Sequence, residues 1–570
     1  MSVVSIRPNV ARALHGAARW WILLSLAAFM LLAWDVGLPA KTEGDALGPR
    51  GERTLQLCLL GVVLLAWLIS RRWRGAAAVL LALAASGLTG AAALSYRPAV
   101  VLTVAVAFLA PAVALWLVWQ RERPAVTVAA LAAVTAVLLA TAWTVAAGVY
   151  DHYFGPAHPS SSTPDVPVDQ VEWIWSGGVT SESASVVARL EDHAEDAAHA
   201  ELDVRPRADG TPLLVRGIPD ADRVVRWELE DLEPGTEYTY AVVVDDHRDG
   251  GRGVGRFRTP PAGPASITVA FGSCARTGSN GAVFDAIRAV GADLYVAEGD
   301  LHYGNVTDDD PDRFLGLYDR VLTAPAQAAL YRSLPVAYMW DDHDYGPNNA
   351  DAGSPSRDAA RSVYRQAVPH HPLPAGADLG AIYQGFTMGR VRFLLTDTRS
   401  ERTDASMLGA QQLAWLLDEL RTASRSYALV VWVNPDPWIA PADPGDDDWG
   451  GYPDERRRIA DAIAEAGTHN LVMLSGDAHM VALDDGTNSD YSTAGGAGIP
   501  VLHAAALDRP GRVKGGPYSH GTFPGAGQFG VLTLHDAGGD RITVDLAGRD
   551  WTGRTLVEHT LQVRVPTPAR

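Results

Sequence analysis

The stretch that decides the fold is LPVAYMWDDHDYGPNN, residues 334–349. Its first half is an apolar run, and its second half is a cluster of Asp, His and Asn. A short continuous apolar run bounded by polar residues is typical of a strand that is buried on both faces of a sheet. The stretch therefore predicts a buried strand whose carboxyl end carries polar side chains.

The same pattern recurs from residue 265 onward, where apolar strands alternate with helices. The other predicted strands are SITVAFGSC, DLYVAEGD, RVRFLLTDTRS, YALVVWVN and NLVMLSGDAH. The predicted helices are GAVFDAIRAVG, RFLGLYDRVLTAPAQAALYRS, LGAQQLAWLLDELRTAS and DERRRIADAIAEAG. Strands interleaved with helices predict an α/β fold, in which functional sites form beyond the carboxyl ends of the strands.

The predicted strand ends carry side chains that can bind metal ions. They are Cys274, Asp300, the cluster around Asp342, Asp397, Asn434, and the pair Asp477 and His479. A single aspartate at a strand end is usually a turn former. Several carboxylates at one edge repel one another unless cations lie between them. The pattern therefore predicts a metal site.

The chain has two cysteines, too few for a disulfide framework, and Cys58 lies in an apolar run near the N-terminus. Cys274 is then either a small buried hydrophobic residue or a metal ligand. Tyr303 follows Asp300 by three residues, so a short turn can bring its phenol to the same ion. Thiolate and phenolate beside carboxylates favour a transition metal such as iron at one position.

Five apolar stretches occupy the first 150 residues: 20–38, 54–70, 75–94, 98–119 and 125–150. Each has about the 20 residues that cross a bilayer, and a signal peptide would show one short run. Eight Lys and Arg residues lie in the loops on the N-terminal side, and four lie on the other side. By the positive-inside rule, we expect a multi-pass cell-membrane protein with residues 151–570 outside the cytoplasm.

A Pro- and Ser-rich linker is predicted over 153–168, and short alternating strands follow it over 169–262. The run LEPGTEYTYAVVV (232–244) and the GRFRTP segment (255–260) resemble a fibronectin III-like β-sandwich. The formal net charge of −19 argues against a nucleic-acid-binding surface, which needs a basic face.

The strand-end motifs together resemble the PhoD-like alkaline phosphatases, a branch of the calcineurin-like metallophosphoesterases. The motifs are GSC, GDLHY, MWDDHDYGPNN, DTR, LGAQQLAWL and SGDAH. The resemblance implies an α/β metallophosphoesterase sandwich over 263–560. It would be preceded by a fibronectin III-like domain over 169–262, the linker, and a membrane domain of five transmembrane helices over 1–152.

The resemblance also implies a cluster of Fe3+ and Ca2+. Its ligands would be Cys274, Asp300, Tyr303, Asp342, Asn348, Asp477 and His479. Cys274 and Tyr303 would bind iron, and Asp300 would bridge the metals. The amide ligand is either Asn348 or Asn349.

His343 would contact the phosphate, because the resemblance places a histidine after the metal-binding Asp342. Arg399 and Arg402 suit bidentate phosphate recognition, although either could instead hold Asp397 as a structural ion pair. Asn434 stands where the wider superfamily often has a histidine, and we expect it near the substrate.

The expected function is hydrolysis of phosphate mono- or diesters by a metal-bound hydroxide. The sequence contains no Ser or Thr in a nucleophile motif, so no phosphoenzyme is expected. The expected partners are a phosphate-ester substrate and the lipid bilayer. The alternative is a membrane sensor or adhesion protein with an inactive outer domain, which would leave the strand-end cluster without a role.

Overall fold

The structure is a computed structural model that describes residues 8–35, 48–95, 98–120, 160, 162–192, 199–207, 210–376, 380–509 and 511–566. The chain divides into two compact units, Met1–His152 and Tyr153–Arg570. In the described part of the first unit, the helices are α1 (Pro8–Asp35), α2 (Gly48–Ile69), α3 (Arg74–Ser95) and α4 (Pro98–Gln120).

Two of these helices, not five, are long and apolar enough to cross a membrane. The spans are Asn9–Met30 and Val101–Gln120, judged by length and composition. In α2 and α3, the apolar segments with described side chains are shorter, Leu55–Ile69 and Arg74–Gly90. The fifth predicted stretch, 125–150, lies outside the described residues.

The second unit is built from three β-sheets. Its strands are β1 (Val171–Gly177), β2 (Ala184–Leu190), β3 (Ala200–Pro206), β4 (Leu213–Gly217), β5 (Val224–Leu229), β6 (Glu237–Val244), β7 (His247–Arg248), β8 (Val254–Arg258), β9 (Ile267–Gly272), β10 (Leu294–Glu298), β11 (Val336–Met339), β12 (Gln384–Met388), β13 (Val391–Leu395), β14 (Leu429–Asn434), β15 (Leu471–Ser475), β16 (Met480–Asp484), β17 (Val501–Ala504), β18 (Thr522–Pro524), β19 (Gln528–His535), β20 (Arg541–Asp550) and β21 (Thr555–Arg564). One mixed sheet has the order β21-β20-β19-β9-β10-β11-β1-β2-β5, and a second has the order β12-β13-β14-β15-β17-β16-β18. A smaller sheet has the order β4-β3-β6-β7, with β8 also paired to β6.

The helices of the second unit lie between these strands in the chain. They are α5 (Ala282–Val290), α6 (Pro311–Thr323), α7 (Pro325–Tyr331), α8 (Asp342–Tyr345), α9 (Arg357–Ala367), α10 (Gly409–Ser426) and α11 (Pro453–Ala466). The single helix predicted for RFLGLYDRVLTAPAQAALYRS is divided into α6 and α7. Ala324 takes an extended conformation with ψ of 125° because the following proline disfavours the helical conformation there.

The strands predicted for residues 169–262 are present, but they are divided between two sheets. β1 pairs in parallel with β11 and antiparallel with β2, so β1, β2 and β5 extend the nine-stranded sheet. The remaining strands of this stretch form the smaller sheet. The predicted β-sandwich therefore shares a sheet with the strands that follow it, and a fibronectin III-like fold for this stretch remains a prediction.

The main core of the second unit contains residues from both large sheets. Val269 and Val296 come from the nine-stranded sheet, and Phe393, Val431 and Leu474 come from the seven-stranded sheet. Strands β9, β10 and β11 run parallel to one another, as do β13, β14 and β15. Parallel strands place their carboxyl ends at one edge, and the predicted ligands follow these ends.

Candidate metal centre

The loops that carry the candidate ligands have an unusual backbone. Cys274, Asp300, Asp477 and His479 have φ values of 63°, 53°, 58° and 50°, in the left-handed region that these residues rarely adopt. Such conformations are retained where the surrounding structure enforces them, and they cluster at functional sites. The turns after β9, β10 and β15 are therefore shaped to direct these side chains.

Two groups of potential ligands meet at Asp300. Ligand atoms of Cys274, Asp300 and His479 lie within 4.8 Å of one another, and those of Asp300, Asp342 and His343 do so as well. Asp300 is 2% exposed, and its Oδ1 has no hydrogen-bond partner among the described residues. A buried carboxylate oxygen without a donor fits a bound cation, and a carboxylate shared by two groups fits a bridging position.

Electrostatics around this carboxylate also fit a cation. Burial, followed by repulsion from Asp342, raises the pKa of Asp300 well above its usual range. Burial, followed by repulsion from Asp300 and Asp477, raises the pKa of the Cys274 thiol in the same way. A bound metal ion reverses this effect, because it stabilises the carboxylate and deprotonates a coordinating thiol. The donor set of thiol, phenol, imidazole and carboxylate fits a transition metal on the Cys274 side.

Tyr303 belongs to the same cluster. Its phenol oxygen lies 3.0 Å from Nε2 of His479, and its ring packs against His343 with 4.2 Å between centroids. The guanidinium carbon of Arg509 lies 3.9 Å from the centre of the Tyr303 ring on which it stacks. The turn after β10 thus brings the phenol back to the candidate ligands, as the spacing from Asp300 predicts.

His343 and Asp342 are held by neighbours that orient them. Nδ1 of His343 lies 2.6 Å from Oδ1 of Asn305, which leaves Nε2 for the cluster. Oδ2 of Asp342 accepts a hydrogen bond of 2.5 Å from the Asn349 backbone N–H. Burial raises the pKa of Asp342, but the His343 and Arg399 charges outweigh it, so the net pKa is lowered. Asn305 is a residue that the sequence analysis missed.

The two asparagines proposed as amide ligands have different environments. Asn348 and Asn349 are both exposed, and the Asn348 side chain donates a 2.5 Å hydrogen bond to Oδ1 of Asn349. Asn349 has a φ of 61° and is bound to Asp342 through its backbone. The choice of Asn348 as ligand therefore stays a prediction.

Arg399 is fully buried and contacts three carboxylates. Its Nε donates to Asp341 at 2.6 Å, its Nη2 to Asp436 at 2.9 Å, and its Nη1 to Asp447 at 2.7 Å. The expected structural alternative was a pair with Asp397, but only the backbone N–H of Arg399 bonds that carboxylate. The guanidinium is therefore the centre of a different ion-pair network.

Asp397 itself is a structural acceptor. Its carboxylate accepts hydrogen bonds from the Trp340 indole at 2.9 Å, the Ile382 backbone at 2.9 Å and the Ser400 backbone at 3.0 Å. These bonds join the segment after β13 to neighbouring segments of the chain. Its place at a strand end thus reflects packing of buried polar groups.

The predicted substrate residues Arg402 and Asn434 are also buried. Arg402 contacts Asp447 at 2.8 Å and donates to the Tyr452 hydroxyl at 2.9 Å. Asn434 is fully buried, donates to the Asp436 carbonyl at 2.6 Å, and accepts from the Trp449 indole at 3.0 Å. Both ends of the Asn434 amide are occupied, which favours a structural role over the predicted contact with substrate.

Lys514 is the second residue that the sequence analysis missed. It is one of only two lysines in the chain, and this rarity was the available signal. Its ammonium donates to a carboxylate oxygen of Asp477 and lies 3.8 Å from Asp447. Asp477 therefore lies beside the two ligand groups, where it is bound by a protein cation.

Three comparisons relate the chain to known proteins. Residues 270–502 match the family model of the PhoD-like phosphatases. Alkaline phosphatase D of Bacillus subtilis (strain 168) is 25% identical over 319 residues, which cover 46% of this chain and 54% of that protein. The chain thus matches about half the length of that relative.

A solved structure of PhoD is similar over 71% of this chain and 94% of its own, with 19% sequence identity and a TM-score of 0.53. This similarity supports a PhoD-like fold for the large domain with its mixed sheets. Residues 270–502 are thus similar to the PhoD-like phosphatases in sequence, and the solved PhoD structure is similar in fold.

Proposed function

We propose that the second unit is a metal-dependent phosphoesterase that the N-terminal helices hold at the outer face of the cell membrane. The observation that carries this proposal is the position of Asp300, which is shared by two groups of potential metal ligands. Two cations that share a carboxylate are the arrangement that phosphate-ester hydrolysis uses to bind the attacking and leaving oxygens.

Fe3+ would be held on the side of Cys274, Tyr303 and His479, and Ca2+ on the side of Asp342 and one of the two asparagines. The thiol and phenol suit a transition metal, and the oxygen donors suit calcium. When bound, the metals supply Lewis acidity and an activated water. The pairing of metals with ligands extends the family resemblance to this chain.

The chain's own residues complete the site. His343 presents Nε2 towards the cluster because Asn305 occupies Nδ1, so His343 can donate a proton to a phosphate oxygen when protonated. Arg402 and Lys514 place positive charge beside the cluster. Arg399 holds the carboxylates that support the loops. Asn434 has a structural role in this proposal, because it accepts the hydrogen bond of the Trp449 indole.

Membrane anchoring is supported by the first unit's surface. Leu24 is 70% exposed, Leu102 is 65% exposed and Trp20 is 69% exposed, although all lie on apolar helices. Large apolar side chains that are exposed on such helices are typical of surfaces that contact lipid or another protein. The loop charges then predict that residues 151–570 lie outside the cytoplasm.

The function is tested with the full chain in detergent, supplied with Fe3+ and Ca2+, and assayed on p-nitrophenyl phosphate and bis(p-nitrophenyl) phosphate. Asp300→Asn should lose bound metal and nearly all turnover. Asp308→Asn is the matched control, because Asp308 is an exposed carboxylate that pairs with Arg313. Metal-independent turnover would refute the metal mechanism, and no turnover in the folded wild type would favour the sensor or adhesion alternative.

A further inference from the structure

Three basic side chains surround one carboxylate at the edge of the candidate metal centre. Arg399 holds Asp447 with both Nη atoms, at 2.7 and 3.4 Å, and Nη2 of Arg402 lies 2.8 Å from it. Lys514 donates to the Asp447 carbonyl at 3.3 Å and lies 3.8 Å from its carboxylate. Two guanidinium groups and an ammonium around one acid form an anion site.

This anion site is continuous with the metal centre. Lys514 also binds Asp477, which follows the end of β15, and Arg399 binds Asp341, which precedes Asp342. A phosphoryl group bound near Asp342 would therefore lie beside these cations.

The Asp447 carboxylate does not accept hydrogen bonds from all the donors of this anion site, as Arg402 shows. Arg402 is 5% exposed, and its Nη1 has no hydrogen-bond partner among the described residues. Its nearest described acid on that side is Asp436, at 3.9 Å. A carboxylate offers two oxygens, whereas a phosphoryl group offers three strong acceptors, so phosphate can bind the donor that Asp447 leaves.

Asp447 is also the most exposed of the three acids that Arg399 contacts. Its side chain is 14% exposed, whereas those of Asp341 and Asp436 are 1% and 0% exposed. Residues 441–446, which precede it, are exposed. On the other side, Trp449 is fully buried and anchored to Asn434. The carboxylate thus lies at the partly exposed end of the network, and it can rotate away without moving the buried Trp449.

We propose that Asp447 is an internal substitute for phosphate, which occupies the anion subsite of Arg399, Arg402 and Lys514 until a phosphoryl group displaces it. The proposal rests on the proposed function, because it names where the phosphate of that substrate binds. An internal ligand lowers the apparent affinity for phosphate, because only the molecules in which the subsite is free can bind it. Removing the Asp447 charge should therefore strengthen phosphate binding.

The test compares Asp447→Asn with Asp446→Asn in the full chain, using inorganic phosphate as the probe. Asp447→Asn keeps the side-chain shape and removes the charge, and Asp446 is an exposed neighbour with the same charge. Phosphate should bind Asp447→Asn about tenfold more tightly, both by calorimetry and as a competitive inhibitor. Asp446→Asn should bind phosphate like the wild type.

If Asp447→Asn binds phosphate equally or more weakly than the wild type, the proposal is wrong and Asp447 has only a structural role in its loop. Amide hydrogen exchange of wild-type residues 443–448 provides a measurement that needs no variant. Exchange should increase when phosphate binds, and unchanged or slower exchange would contradict displacement. Calorimetry needs no turnover, so tighter phosphate binding without hydrolysis would refute the proposed function alone.

Discussion

Replacing Arg399 by glutamine is expected to destabilise the protein by about 3–5 kcal/mol, the cost of breaking one buried ion pair. Arg399 contacts three carboxylates, but only one of them loses its cation. Asp447 keeps Arg402 and Lys514, and Asp436 keeps Arg402 at 3.9 Å. Asp341 has no other ion-pair partner among the described residues, so its buried charge is left uncompensated.

This loss converts into a shift of the unfolding midpoint. For a cooperative unit of the size of residues 153–570, the unfolding entropy is about 0.9 kcal/mol/K, so Tm should fall by about 3–6 °C. Calorimetry of the full chain in detergent measures it. Arg392→Gln is the control, because its pair with Glu419 is partly exposed and worth about 0–1 kcal/mol, which gives a shift of about 1 °C or less.

The pH dependence provides an independent check. Burial raises the pKa of Asp341, and Arg399 opposes that rise, so the pKa should be higher still in Arg399→Gln. A carboxyl whose pKa is raised by folding contributes stability at low pH that is lost as the pH rises through the folded-state value. The deficit of the variant should therefore shrink on acidification. An unchanged Tm in Arg399→Gln would refute the structural role of Arg399.

Cys274→Ser should lose iron, the visible charge-transfer absorption and most activity while keeping its fold. Tyr303→Phe should shift or abolish the same absorption. If Cys274→Ser instead retains metal and activity and loses about 1 kcal/mol of stability, Cys274 is a small buried hydrophobic residue. His371 is buried and stacks 4.1 Å from Phe386, and burial, followed by the charge of His370, lowers its pKa to about 3. Because the unfolded-state pKa is about 6.5, the neutral His371 contributes stability above pH 6.5 that is lost as the pH falls. The Tm of His371→Phe should therefore fall less than the Tm of the wild type between pH 6.5 and 4, and equal slopes of Tm against pH would contradict this. A reporter active only in the cytoplasm, fused after residue 570, should be silent, and strong activity would refute the predicted orientation.

The sequence by itself determined the strands and placed the candidate ligands at their ends. A strand buried on both faces is apolar along most of its length, as β10 and β14 are before their last residues, and this pattern is visible without a structure. Cys274 and Asp300 follow their strands by two residues each, and the structure brings these two side chains together with His479. The helix break at Ala324 was not predicted, although the adjacent proline that causes it is visible in the sequence.

Apolar length alone did not determine the number of membrane-spanning helices. Five stretches look apolar in the sequence, whereas two of the described helices meet the length and hydropathy that a membrane span requires. The sequence likewise did not show that β1 pairs with β11, since strand pairing depends on partners far along the chain.

Only the tertiary structure decided which charges meet. Arg399 and Asp341 are 58 residues apart, and Lys514 and Asp477 are 37 apart, so no local periodicity connects them. Their contacts depend on how the loops of two sheets come together at one edge. Local sequence patterns indicate whether each strand is buried. Ion pairs depend on the distances between strands, and the packing of both sheets sets those distances.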